Sequence, residues 1–188
     1  MEGEMVMKIP IAGIVGPTAT GKSDTAIEVA GILDAEIISV DSMQVYRQMD
    51  IGTAKVMPEK RYTSDGKYIP HHMLDIVAPD ADYSVDRFQK EAALAVEDIY
   101  SRGKLPLLVG GTGLYFNALV YEYEFIPGAR DMHLRSELWQ QAEIKGPLSL
   151  YEKLRFVDPQ AAQSIHPHDT KRVIRALEVY KQTGQRIS

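Results

Sequence analysis

The sequence predicts an α/β fold with a parallel sheet, followed by a separate all-helical unit. Three observations carry this. Short apolar runs alternate with amphipathic helical stretches through residue 125. Glycine-rich turns follow two of those runs, where a strand would hand over to a helix. After Phe125 the alternation stops, and no further strand is evident.

The elements follow in order. Residues 8–15 read as a buried strand, with Ile9, Ile11, Ile14 and Val15 in one apolar run. A glycine-rich turn covers 16–21, and residues 23–33 carry Ala26, Ile27, Val29, Ala30 and Leu33 at helical spacing. Residues 36–40 form a second short strand, ending at Asp41-Ser42. Residues 57–70, with Pro58, Gly66 and Pro70, are polar and loop-like. Ser84 can cap a helix running to Ser101, with Val85, Phe88, Ala92, Ala95 and Ile99 as its apolar stripe. Residues 105–109 are a third buried strand, followed by Gly110-Gly111-Thr112-Gly113. Beyond Phe125, helices are expected at 131–144, 148–156, 159–165 and 169–182. The domains are therefore drawn as an α/β core over 1–125 and a helical domain over 126–188.

Composition bounds the function. A chain of 188 residues, 45% apolar and 25% charged, suits a globular domain and excludes disorder and fibre. The absence of cysteine excludes a disulfide framework and thiolate-bound metal, and suits a reducing, cytoplasmic setting. The longest apolar runs, 9–16 and 105–110, fall far short of the ~20 residues a membrane span needs. The first eight residues show no signal-peptide pattern, so no membrane partner is expected. The net charge of −5 argues against a generally basic surface, but it is unevenly spread. Residues 1–126 carry 11 Lys and Arg against 19 Asp and Glu, whereas residues 127–188 carry 10 against 7. A basic unit on an acidic body can meet a polyanion locally.

Gly16-Pro17-Thr18-Ala19-Thr20-Gly21-Lys22-Ser23 matches G-x-x-x-x-G-K-[ST] in full, between a predicted strand and a predicted helix. The glycines let backbone N–H groups turn inward around a phosphate, and the helix N-terminus adds its positive end. Lys22 supplies a point charge, and the Ser23 hydroxyl can ligate Mg²⁺. The core is thus P-loop NTPase-like. The motif specifies a bound di- or triphosphate without specifying a kinase. Asp41 stands at the end of the second strand, where an acid can serve a metal, take a proton from an acceptor, or simply cap a turn. With both glycine turns also following strands, all three features can meet at one sheet edge.

These blocks resemble the tRNA dimethylallyltransferase family. The resemblance runs from Ile9 to about Ile187. It rests on Gly-Pro-Thr-Ala-Thr-Gly-Lys-Ser at 16–23, Asp-Ser-Met-Gln-Val-Tyr-Arg at 41–47 and Met-Asp-Ile-Gly-Thr-Ala-Lys at 49–55. It continues with Pro-His-His-Met-Leu-Asp-Ile at 70–76, Tyr-Ser-Val at 83–85 and Leu-Val-Gly-Gly-Thr-Gly-Leu-Tyr at 108–115. Ile-His-Pro-His-Asp at 165–169 leads into Arg-Val-Ile-Arg-Ala-Leu-Glu at 172–178.

The resemblance implies prenyl transfer to the exocyclic amine of an adenosine beside the anticodon. Dimethylallyl diphosphate is the implied donor and Mg²⁺ the implied cofactor. Residues 16–23 would hold the pyrophosphate, Asp41 would act as general base, and Lys22 and Thr112 would serve the reacting groups. Implied tRNA contacts are Asp41, Ser42, Met43, Gln44, Thr112, Arg135, Lys171, Arg172, Val173, Ile174 and Arg175. The helical unit is then an insertion domain that clamps the anticodon arm of a flipped-out adenosine. Independently, Lys171, Arg172 and Arg175 fall on one third of the last helix, opposite Val173, Ile174, Ala176, Leu177 and Tyr180. A monomer is expected.

Two departures stand out within the chain. Gln48 replaces the family's usual glycine, and the loop at 61–68 is longer than usual. Family members also continue past the position of Ser188, and the resemblance implies that this part supplies another pyrophosphate-binding arginine and further RNA-binding helices. The 188-residue chain is therefore expected to turn over poorly. The alternatives are a prenyltransferase acting on free adenine nucleotides, a small kinase sharing only the loop, and a non-catalytic phosphate- or RNA-binding module. His71-His72 and His166/His168 lack the cysteines or clustered carboxylates of a zinc site.

Overall fold

The computed structural model describes residues 9–121, 123 and 131–188. The chain divides into two compact units, 1–123 and 124–188. The expected boundary at 125/126 lies outside the described residues.

The first unit has an all-parallel four-stranded sheet in the order β1 (Ala12–Val15), β4 (Leu105–Gly110), β2 (Ala35–Ser39), β3 (His71–His72). Helix α1 (Lys22–Leu33) connects β1 to β2, α2 (Val85–Ser101) precedes β4, and α3 (Gly113–Val120) follows it. All five residues of β2 and the middle four of β4 are buried, as expected of strands covered on both faces. Side chains alternate between the faces. Ile37, Leu107 and Val109 pack with Ala26, Ile27 and Ala30 of α1. Ile38 and Leu108 pack with Phe88, Val96 and Ile99 of α2 and with Tyr115 and Leu119 of α3. The result is a three-layer core of the predicted class.

Local chemistry sets the helix ends. The Ser84 hydroxyl accepts the Arg87 N–H, a cap worth about 1 kcal/mol. Asp34 takes the left-handed conformation at φ 49°, and its N–H closes α1 on the Ala30 carbonyl, so β2 begins at the next residue. Glu36, the one charge in β2, is 2% exposed and forms a two-pronged pair with Arg102, while its Oε2 also meets His72 at 2.8 Å.

The second unit holds α4 (Met132–Lys145), α5 (Pro147–Val157), α6 (Pro159–Ser164) and α7 (Thr170–Thr183) around Leu138, Leu150, Leu154, Val173, Ile174 and Leu177. Asp131, Asp158 and Asp169 each accept the N–H three residues on, capping α4, α6 and α7. Asp158 is 2% exposed, and its other oxygen accepts the N–H groups of Ile187 and Ser188, anchoring the last residues.

Three elements were not anticipated, one of them a single 3₁₀ turn at Pro58–Lys60 within the expected loop. β3 is two residues long, and α3 follows the second glycine turn directly. The first strand starts at Ala12.

Candidate active site

Three loops leave the carboxyl ends of adjacent strands and are bonded to one another. Residues 16–21 follow β1, residues 40–47 follow β2, and Gly111-Thr112 follow β4. The Gly16 N–H donates to the Gly110 carbonyl at 3.3 Å, and Val40 donates to Val109 at 2.8 Å. A Cβ at Gly110 would sit 2.6 Å from the Val40 carbonyl oxygen, and one at Gly111 would sit 3.1 Å from that of Gly16. The second glycine turn is therefore glycine because the two neighbouring loops pass against it.

In the phosphate loop, Ala19 and Gly21 have φ of 64° and 75°. Gly21 is also the N-cap of α1, and no side chain caps that terminus. Backbone N–H groups at the start of α1 thus remain for an anion, with the helix dipole behind them. The loop is exposed, with the Thr20 hydroxyl donating to the Pro17 carbonyl at 3.0 Å. Lys22 folds its ammonium group across the loop onto the same carbonyl and lies 3.4 Å from Thr20 Oγ1. Its charge thus lies against the loop, between Pro17 and Thr20. The cation is placed to meet whatever phosphate the amides hold.

Asp41 Oδ1 accepts the N–H groups of Met43 at 2.8 Å and Gln44 at 3.3 Å, which turns the chain and fixes the carboxylate. Among the described residues Oδ2 takes no hydrogen bond, so one oxygen is left to accept a proton. Thr112 Oγ1 accepts the Ser42 N–H at 3.0 Å, and the Thr112 N–H donates to the Val40 carbonyl at 3.1 Å. The Ser39 hydroxyl holds Gln44 Oε1 at 3.0 Å, and Gln44 Nε2 donates to the Thr53 carbonyl at 3.0 Å. Ser23, Ser39, Gln44, His71 and Gly110 line one cleft here. Burial pushes the His71 imidazole down to about 4, and its Nδ1 meets the Ile69 carbonyl at 2.8 Å, so Nε2 is an acceptor at neutral pH.

Sequence reasoning missed the support under this edge. Lys55 is 6% exposed, and its ammonium group reaches Asp50 at 2.8 Å, Asp75 at 2.6 Å and the Tyr46 carbonyl at 2.8 Å. Burial works against its charge, but the two carboxylates prevail and the ammonium is held above its ordinary value. Gln48, Ala54, Met73 and Asp75 around it all have positive φ. A lysine inside a polar turn gives no periodic signal, so only the folded chain reveals its partners.

In the helical unit, Lys171 and Arg172 of α7 are exposed, with Arg172 paired to Asp169 at 3.3 Å. Arg175 and Arg135 both bond the buried Glu178. Val173 and Ile174, also among the expected RNA contacts, are 0% and 1% exposed. Their side chains form the core of the unit and offer no surface.

The IPP transferase family model matches residues 44–188. The chain belongs to this family. A tRNA dimethylallyltransferase of Moorella thermoacetica is 58% identical over 96% of the chain, and one of Caldanaerobacter subterraneus is 50% identical over 97%. In each case the match covers 56% of the relative, so the chain spans about half the length of the curated relatives it matches. Among solved structures, the full-length tRNA isopentenylpyrophosphate transferase of Bacillus halodurans is 47% identical, with a TM-score of 0.59 over 95% of this chain and 57% of that one. A eukaryotic dimethylallyltransferase acting on tRNA is 35% identical, with a TM-score of 0.75 over 94% of this chain and 42% of that one. This IPP transferase chain contains no helix, among the described residues, long and apolar enough to cross a membrane.

Proposed function

We propose that the protein transfers the dimethylallyl group from dimethylallyl diphosphate to the exocyclic amine of the tRNA adenosine beside the anticodon, releasing pyrophosphate. The observation that carries this is the hydrogen-bonded convergence of the phosphate loop, the Asp41 turn and Thr112 at one sheet edge in an IPP transferase.

The chemistry follows from that edge. The allylic C–O bond breaks, and its electron pair leaves with pyrophosphate. The adenine amine supplies the pair for the new N–C bond. Its lone pair is delocalised into the ring, so attack requires loss of a proton, which Asp41 Oδ2 accepts. Charge growing on pyrophosphate is met by Lys22 and the amides at the start of α1. Thr112 holds the Asp41 turn through Ser42 and is proposed to touch the substrates near the pyrophosphate. Gln44, fixed by Ser39 and Thr53, completes the edge that reads the base.

The donor set fits a phosphate-bound magnesium ion. Ser23 lines the cleft, and among the described residues no three His, Asp or Glu side chains form a coordination set. Mg²⁺ is ordinarily held by one or two protein oxygens with substrate phosphates completing its shell. When bound, it would neutralise charge on the leaving group. Lys171, Arg172, Arg175 and Arg135 are proposed to hold the anticodon arm. This basic set favours tRNA over a free adenine nucleotide, which needs no such surface.

The test is to incubate radiolabelled dimethylallyl diphosphate and Mg²⁺ with tRNA or with AMP. This chain is assayed beside a version extended to the relatives' length. Label in tRNA, stronger for the extended version, is expected. Label in AMP alone, or in neither acceptor for both versions, overturns the proposal.

A further inference from the structure

We propose that Glu178 is a positioning residue whose buried carboxylate fixes Arg135 and Arg175 side by side, so that both guanidinium groups engage a single RNA phosphodiester. The proposal rests on the RNA reading of the helical unit and goes beyond it in naming what shapes the contact.

Glu178 lies on the inward face of α7, between Leu177 and Val179, and is 0% exposed. Its Oε2 accepts from Arg135 of α4 at 2.6 Å and from Arg175 of α7 at 2.9 Å. The two donor nitrogens are thus no farther apart than the sum of those distances. Like charges so close need the shared anion between them. Burial pushes the Glu178 carboxyl up, but the two guanidinium groups prevail and hold it below its ordinary value.

The bonding differs from a pair built for stability alone. Glu36 elsewhere in the chain meets Arg102 with both oxygens, the two-pronged geometry that satisfies a carboxylate best. At Glu178 both arginines crowd Oε2, and Oε1 is buried with no hydrogen-bond partner among the described residues. A carboxylate satisfied on one side only gains little for stability, and a buried ion group rarely outperforms apolar packing. The geometry instead spares the arginines. Each gives one N–H to Glu178 and keeps the rest of its planar fork. Their side chains remain 26% and 39% exposed. One carboxylate against two guanidinium groups leaves a surplus positive charge, next to exposed Lys171 and Arg172. A phosphodiester, with two non-bridging oxygens and one negative charge, matches that surplus and that spacing.

The experiment measures the affinity of the chain, extended to the relatives' length, for an anticodon stem-loop RNA by fluorescence anisotropy. Glu178→Gln removes a negative charge, so a mere counter-charge role predicts tighter binding. The positioning role predicts the opposite, about tenfold weaker binding at about 0.1 M salt. If Glu178→Gln does not fold by circular dichroism, the paired Arg135→Lys and Arg175→Lys variant keeps every charge but loses the forks, and the same loss is expected. Unchanged or tighter binding in the folded variant overturns the inference alone. No binding by the unsubstituted chain overturns the RNA reading and the inference with it.

Discussion

The Thr112 hydroxyl accepts the backbone N–H of Ser42 at 3.0 Å, and the Thr112 N–H donates to the Val40 carbonyl at 3.1 Å. Asp41 lies between those two anchors. Its backbone is therefore tied on both sides to the glycine turn that touches the phosphate loop, and the proposed base, so held, needs little reordering to meet its proton.

Asp41→Asn keeps the shape of the turn but cannot accept the proton. In a version extended to the relatives' length, with tRNA bound beforehand, the single-turnover rate should fall by roughly 10²–10⁴ while tRNA affinity is kept. A rate within about threefold of the unsubstituted protein would remove Asp41 from the role of base.

Lys22→Ala takes away the cation folded over Pro17 and should weaken binding of dimethylallyl diphosphate and abolish most turnover. Calorimetric titration reads the affinity directly, and an unchanged value would refute the diphosphate site.

Replacing Lys171, Arg172 and Arg175 together with Ala should weaken tRNA binding and flatten its dependence on salt. Each lost phosphate contact should lower the log–log slope by about 0.7–0.9. Identical slopes would mean that this face of α7 is merely solvated.

Glu36 titrates at about 2, well below its ordinary 4.5, because Arg102 bonds the carboxylate strongly enough to outweigh burial, with His72 adding to it. A depressed carboxyl stabilises the fold above its unfolded value and loses that contribution as pH falls toward 2. The stability gap between the native protein and Glu36→Gln, about 2–3 kcal/mol from this linkage, should therefore close between pH 4.5 and 2. Urea midpoints across that range test it, and a gap independent of pH would rule it out.

Gln48 has a φ of 62°, in the left-handed region where a side chain costs about 1–2 kcal/mol and glycine nothing. Against that stands the ~0.5–1 kcal/mol of extra freedom glycine gains on unfolding. Gln48→Gly should therefore stabilise the protein by up to ~1 kcal/mol, measured by chemical denaturation. A loss of stability would show that the Gln48 side chain is needed.

Much of the site could be read before the fold was known because its signals are local. The glycines and lysine at 16–23 and the cap at Ser84 each act within a few residues. α3 escaped because Gly113–Val120 is apolar nearly all round and shows no stripe. β3 escaped because two residues have no period, and only pairing of His71-His72 with Ile37-Ile38 makes them a strand. Lys55 and Glu178 escaped for another reason: Asp75 is 20 residues from Lys55, and Arg135 is 43 from Glu178. A charge on a buried face announces that a partner exists, but tertiary folding alone chooses it.

Lys55 draws Asp50, Asp75 and the Tyr46 carbonyl onto one ammonium group, amid four non-glycine residues with positive φ. Two stretches, 46–55 and the turn at Asp75, are thereby made interdependent through one buried charge. The rim that carries Gln44, Tyr46 and Asp75 is consequently a single block. Anyone redesigning it would have to transplant both stretches and their lysine together, since exchanging either by itself would leave a buried charge short of its partner.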